Sequence, residues 1–258
     1  MPSSPLPDIH FRRERAGSRT ILILHGWGSH SGRWQPDIAL LGRAGYDVVV
    51  PDLPGFGESP PPPAAWGVDD YAAAMRAFLR HFDIHPFLII GHSFGGRVAI
   101  RLLLHHPEAA RGLVLCASSG LKHPRTLKQR LANLAAKAGG ALFSIKPLTG
   151  LQDLARRALY RGIGEHDYYR TAGVMRETFL RVIEEDIAPG LDRLSHPTLI
   201  VWGDQDRVTP LSDAHRFHRL IPNARLEIIP GAGHRLPYEQ PGIFCKLVTA
   251  FADEFGIG

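Results

Sequence analysis

The sequence predicts an α/β fold: one mostly parallel sheet, helices on both faces, and an all-helical insertion between two of its strands. Three observations predict it. Short apolar runs rich in Val, Ile and Leu recur through the first 118 residues and again from 193 onward, and most are followed by a segment of helical period. The runs are apolar at successive positions, as strands covered on both faces must be. Between 119 and 192 only helical periodicity remains. The predicted organisation is a core domain (1–118), a helical lid or cap (119–192) and the second part of the core (193–258).

Taken in order, Ile9 to Arg13 is a short edge strand, and TILIL at Thr20–Leu24 is a central one. It runs into His25-Gly26-Trp27-Gly28, where glycines let the backbone approach a ligand closely. Gly32 to Gly45 is helical through Trp34, Ile38, Leu41 and Ala44, with Gly45 as its stop. Tyr46–Pro51 is a strand. Asp52–Ser59 is a turn-rich loop, and Pro60–Pro63 a rigid one. Asp69 or Asp70 caps a helix marked by Tyr71, Met75, Phe78 and Leu79. Phe87–Ile90 is the next strand, a helix then runs to His106–Pro107, and Arg111–Ala117 is again a strand. In the insertion, Leu127, Leu131, Leu134 and Ala138 mark one helix, closed by Gly139-Gly140. Leu151, Leu154, Ala158 and Leu159 mark a second, and Met175, Phe179, Val182 and Ile183 a third. Pro197–Trp202 returns to strand. Leu211–Leu220 is helical, Arg225–Ile229 a strand and Glu239–Phe255 a closing helix.

Composition narrows the function classes. A hydrophobic fraction of 44% and a charged fraction of 21% over 258 residues are those of a soluble globular protein. The N-terminus has no apolar signal-type segment, and no apolar run reaches the roughly 18 residues of a membrane span, so a cytoplasmic protein is expected. Cys116 and Cys245 are far apart and have neither metal-ligand nor C-x-x-C spacing, so no metal is expected. The formal charge of +5 is local in origin. Between Leu121 and Gly162 nine Lys and Arg face Asp153 alone. That stretch is either a solvated helix face or a guide for an anionic substrate or surface. It lacks the interleaved aromatics of single-strand nucleic-acid binders.

The chemistry is carried by three loops that each follow a strand, and in a parallel sheet such loops share one edge. Gly91, Ser93 and Gly95 fit G-x-S-x-G between a strand and a helix, the context of a nucleophile elbow. A serine needs a base, and the base an orienting acid. Gly231-Ala232-Gly233-His234 supplies the base, His234, and Trp202-Gly203-Asp204-Gln205-Asp206 the acid. Asp204 and Asp206 compete; Asp206 lies further over the edge, while Asp204 can tie the turn. His105, His106, His215 and His218 read as surface residues, and His25 as ordering its own loop. An oxyanion needs two donors, the N–H groups of Phe94 and Trp27. Gly26 and His92 flank these and are counted as substrate-binding. Leu127, Phe143, Tyr168, Met175 and Phe179 line the pocket or form lid core.

The ordered motifs HGWG at 25–28, PDLPGFGES at 51–59, GHSFGG at 91–96, WGDQDRVTP at 202–210 and GAGH at 231–234 resemble those of the α/β-hydrolases over nearly the whole chain. The resemblance implies an eight-stranded, mostly parallel sheet, a helical lid after the sixth strand, and no cofactor. By position it makes Ser93 the nucleophile, His234 the base, Asp206 the acid, and Trp27 and Phe94 the oxyanion donors. Haloalkane dehalogenases and epoxide hydrolases carry Asp where this chain has Ser93. HGWG resembles the loop of small carboxylesterases, including the pimeloyl-ester esterase of biotin synthesis.

The expected function is a carboxylesterase acting on small to medium acyl esters, as a monomer or homodimer, with no nucleic acid or membrane-spanning segment involved. Carbon–carbon bond hydrolases and cofactor-free perhydrolases keep the same triad and remain alternatives. So do a ligand sensor on this scaffold and a binder of anionic surfaces through the basic stretch.

Overall fold

Among the described residues seven strands make one sheet: β1 (Phe11–Glu14), β2 (Arg19–Leu24), β3 (Tyr46–Pro51), β4 (Pro86–His92), β5 (Gly112–Cys116), β6 (Thr198–Gly203) and β7 (Ala224–Ile229). Their spatial order is β1-β3-β2-β4-β5-β6-β7. β1 pairs antiparallel with β3, and every other pairing is parallel. This computed structural model describes residues 8–122 and 173–254. The chain divides into two compact units, Met1–Leu121 with Thr171–Gly258, and Lys122–Arg170. All the described residues except Lys122 belong to the first. The two predicted helices at Leu127–Ala138 and Leu151–Leu159 lie outside the described residues.

The sheet differs from the eight strands expected. Among the described residues only one strand, the antiparallel β1, precedes β2, so the insertion follows the fifth strand. β2 to β6 are buried along almost their whole length, whereas β7 at the edge alternates between half-buried and exposed. The apolar runs are therefore the central strands, where each fully buried Leu, Ile or Val side chain contributes about 1.5–3 kcal/mol.

Among the described residues the helices are α1 (Gln35–Arg43), α2 (Val68–His81), α3 (Phe94–His105), α4 (Val174–Glu184), α5 (Leu211–Leu220), α6 (Leu236–Glu239) and α7 (Pro241–Glu254). α1 packs with α7, and α2 with α3. Three boundaries depart from expectation. Ser31–Trp34 forms a 3₁₀ turn ahead of α1, with Pro36 in the first turn of the helix proper. α2 starts on Gly67, and Asp70 reaches back from the third helical position to the Gly67 N–H (2.8 Å) instead of capping from in front. The single closing helix is two, because Pro241 has no N–H to continue α6 and restricts Gln240.

Candidate active site

β4 ends at His92 and α3 begins at Phe94, so Ser93 alone makes the turn, at φ 52° and ψ −114°. Positive φ is costly for a residue with a Cβ, and here the surroundings impose it. The Ser93 N–H donates to the Cys116 carbonyl (3.0 Å), and the Ser93 carbonyl accepts from the N–H groups of Gly96 and Ser119 (both 3.1 Å). The turn is tight enough to require glycine on either side. A Cβ at 91 would lie 2.6 Å from Gly96 Cα, and one at 95 only 2.0 Å from the Leu24 carbonyl oxygen.

Ser93 Oγ lies 3.1 Å from His234 Nε2, and His234 Nδ1 lies 2.9 Å from Asp206 Oδ2. The three come from the ends of β4, β6 and β7, which places them on one edge of the sheet. The structure separates the two aspartates. Asp204 is exposed and accepts from the Gly231 N–H (2.7 Å), tying the two loops together, while the buried Asp206 faces the histidine. The loops run close: the Gln205 N–H donates to the Ala232 carbonyl (2.9 Å). Asp206 Oδ1 accepts from the N–H groups of Val208 (2.8 Å) and Thr209 (2.9 Å), and Oδ2 from the Thr209 hydroxyl (2.8 Å) as well as the imidazole. Burial pushes the Asp206 carboxyl up, but the hydrogen bond and charge of His234 and the two Thr209 donors outweigh it and hold the carboxyl below its ordinary value.

A family model described as the alpha/beta hydrolase fold matches residues 19–241. The chain belongs to this family. An uncharacterised protein of Mycobacterium tuberculosis is 31% identical over 90% of this chain and 75% of its own length. A 2-hydroxy-6-oxononadienedioate/2-hydroxy-6-oxononatrienedioate hydrolase of Cupriavidus pinatubonensis is 26% identical over 94% of this chain and 90% of its own. Among solved structures, an esterase from Exiguobacterium antarcticum superposes with a TM-score of 0.72 at 20% identity, covering 95% of both chains. No helix among the described residues is long and apolar enough to cross a membrane.

In this α/β-hydrolase the expected oxyanion donors sit beside the elbow. Phe94 opens α3, where helical N–H groups have no intrahelical acceptor. Trp27 follows Gly26, where an added Cβ would lie 3.2 Å from Ser93 Cβ and 3.0 Å from His92 Nδ1. Among the described residues no backbone carbonyl accepts from the N–H of Trp27 or Phe94. His25 orders this loop, as its position suggested: Nδ1–H donates to the Gly26 carbonyl (2.8 Å) and Nε2 accepts from the Leu53 N–H (2.9 Å). Burial lowers its pKa to about 4, so it stays neutral.

His92 is buried, and both its ring nitrogens face protein groups. Its Nε2–H donates to the His234 carbonyl (2.9 Å), and its Nδ1 lies 3.4 Å from the Tyr238 hydroxyl, which in turn is 3.1 Å from Ser29 Oγ. Burial takes its pKa down to about 3, helped by the neighbouring His234. The residue before Ser93 thus braces the backbone of the candidate base. Sequence reading missed Ser29, Tyr238 and Thr209. Thr209 lay inside a recognised motif, but no spacing links Ser29 or Tyr238 to His92.

Aromatic rings cluster around Trp27. Trp27 stacks edge-on against Phe56, Phe94 and Phe179, with centroids 4.9, 5.3 and 5.0 Å away. Met175 is buried against Gly55, where a Cβ would come within 2.3 Å of its sulfur. Met175 and Phe179 both stand on α4, which is firmly anchored. The Arg97 guanidinium donates to the carbonyls of Val182 (2.6 Å) and Glu185 (3.2 Å), the Trp66 N–H donates to Thr178 Oγ1 (3.1 Å), and Arg181 donates to the Ala65 carbonyl (2.7 Å). Burial lowers the Arg97 pKa to about 10, still charged at neutral pH. Leu127, Phe143 and Tyr168 lie outside the described residues.

One further group, His10, Asp52 and Glu58, has metal-ligand chemistry, with one ligand atom from each within 4.8 Å of the others. Its geometry is that of a loop tie. His10 Nδ1 faces Asp52 (3.0 Å) and Nε2 faces Glu58 (3.5 Å), while Asp52 also accepts from the N–H groups of Ser31 and Glu58.

Proposed function

We propose that this α/β-hydrolase is a serine hydrolase of carboxylic esters, with Ser93 as nucleophile, His234 as general base and Asp206 as its orienting acid. The observation that carries the reading is the continuous contact from Ser93 Oγ through the imidazole (3.1 Å) to Asp206 (2.9 Å) at a serine held at positive φ. In the proposed reaction Ser93 Oγ bonds to the ester carbonyl carbon as its proton passes to His234 Nε2. The carbonyl π pair becomes an oxyanion received by the N–H groups of Trp27 and Phe94. Collapse breaks the bond to the alkoxide, which takes the proton back from His234. Water, deprotonated by the same imidazole, then releases the acid. Asp206 holds the Nδ1–H tautomer and stabilises the imidazolium. The aromatic cluster around Trp27, next to the elbow, is consistent with an apolar acyl group.

The test is hydrolysis of p-nitrophenyl esters from C2 to C12 by wild type and Ser93→Ala. A loss on the order of 10³-fold or more in the variant is expected. Equal rates in the two proteins would end the reading. The 26% identity to a 2-hydroxy-6-oxononadienedioate hydrolase favours a second reading, carbon–carbon cleavage by the same three residues. It is preferred if ring-fission-type dienoates turn over while the esters do not.

A further inference from the structure

We propose that Thr209 is a positioning residue for the Asp206–His234 pair: its hydroxyl fixes the rotation of the carboxylate and sets how strongly the imidazolium is held. The inference rests on the serine-hydrolase reading. Thr209 is buried, and its Oγ1 lies 2.8 Å from Asp206 Oδ2, 3.2 Å from His234 Nδ1 and 3.2 Å from the Ala117 carbonyl. A hydroxyl has one proton. Given to Ala117, it would leave two oxygen lone pairs facing each other across 2.8 Å at Asp206, so it goes to the carboxylate. The lone pair then left on Oγ1 shares the His234 Nδ1–H with Oδ2.

The hydroxyl is more than part of the turn. The turn is already closed by the N–H groups of Val208 and Thr209 donating to Oδ1, on the far side of the carboxylate. Thr209 is itself held from behind, because the buried Trp202 Nε1–H donates to its carbonyl (2.9 Å). The hydroxyl therefore has a fixed origin and meets the one carboxylate oxygen that meets the base.

The consequence is chemical. A donor on Oδ2 spreads the carboxylate charge. Without it the carboxylate protonates more readily, and while ionised it grips the imidazolium harder. Both changes move the acid limb of activity to higher pH. The lost acceptor at 3.2 Å works the other way, but it is longer and uncharged. The other groups facing His234 leave this intact. His92, with ring centroids 5.1 Å apart, is kept neutral by burial, and Arg207 and Arg235, the chain neighbours of the acid and base, are exposed.

The experiment is the rate of covalent labelling by a fluorophosphonate from pH 4.5 to 9, read by intact mass, in wild type, Ser93→Ala, Thr209→Val, Thr209→Ala and Thr209→Ser. The label reports activation of the serine without a known substrate. Wild type should label and Ser93→Ala should not. The two hydroxyl-free variants should shift the acid limb upward by about half to one pH unit and slow labelling near neutrality several-fold. Thr209→Ser should follow wild type. Should Thr209→Val fail to fold, Thr209→Ala carries the same comparison. The inference is overturned if a folded hydroxyl-free variant tracks wild type, or if Thr209→Ser is as impaired as Thr209→Val. Labelling that is absent in wild type, or undiminished in Ser93→Ala, would instead sink the serine-hydrolase reading itself.

Discussion

Two buried aspartates, one at the edge of the sheet and one between two helices, have opposite acid–base behaviour. Asp206 accepts four hydrogen bonds and is held below the ordinary carboxylate range. Asp37, in the first turn of α1, is fully buried, and its Oδ1 accepts from the Cys245 thiol on α7 at 3.6 Å. Its Oδ2 has no hydrogen-bond partner among the described residues. Burial raises Asp37 to about 7, against which the thiol and its own backbone N–H count for little. Burial acts in the same direction on both groups. What separates them is the number and quality of donors, so a buried carboxylate is ionised where the loop brings N–H and O–H groups to it.

The largest test of that contrast is Asp206→Asn. It keeps the shape but turns an acceptor into a donor facing His234, favouring the wrong tautomer, and ester hydrolysis or serine labelling should fall roughly 10³- to 10⁴-fold. A loss under about tenfold would mean that Asp206 is not serving the base. Stability is the second test, and here the signs oppose. The depressed pKa of Asp206 contributes stability that is present above the unfolded value near 4 and lost as pH falls through the folded value. The raised pKa of Asp37 contributes stability that is full below about 4 and lost as pH rises through about 7. Asp37→Asn should therefore leave the melting temperature unchanged near pH 4 and raise it by several degrees at pH 8. That corresponds to on the order of 2–4 kcal/mol. A melting curve set that shows no pH-dependent gain would show that Asp37 finds donors when ionised.

The smallest effect is the most discriminating. Cys245→Ser offers Asp37 a stronger donor and should move the pH midpoint of the stability loss downward, by about half a unit. Cys245→Ala removes the donor and should move it upward by a similar amount. Equal midpoints in the two variants would mean that burial alone sets the difference.

Sequence pattern made the scaffold legible where the physics is local. TILIL, FLII and GLVLC are apolar at successive positions because β2, β4 and β5 are covered on both faces. The elbow was legible because Gly91 and Gly95 mark where backbone passes backbone. Of the two aspartates after β6, Asp206 could be favoured because it lies further over the sheet edge, and the meeting with the β7 loop separates them: Asp204 ties the turn and Asp206 faces His234. What escaped is what depends on long returns of the chain. His92 reads as a neighbour of the nucleophile, yet its partner is the carbonyl of a residue 142 positions away. Asp37 stands in the first turn of α1, an ordinary place for an acidic residue. Its unusual surroundings come from α7, packed against α1 by the far end of the chain. The break at Pro241 was visible as a letter, but the short helix before it gave no period of its own.

The sequence separation of 141 between Ser93 and His234 also bears on folding. Closing so long a segment is entropically slow compared with forming the β4–α3 turn, and the β7 edge strand that carries the His234 loop can pair only on β6. The elbow can form with the central strands, whereas the Ser93–His234 contact forms only once β7 has paired. During refolding, susceptibility of Ser93 to an active-site label would then lag behind burial of the core tryptophans Trp34 and Trp202, a chemical clock for the last strand to dock.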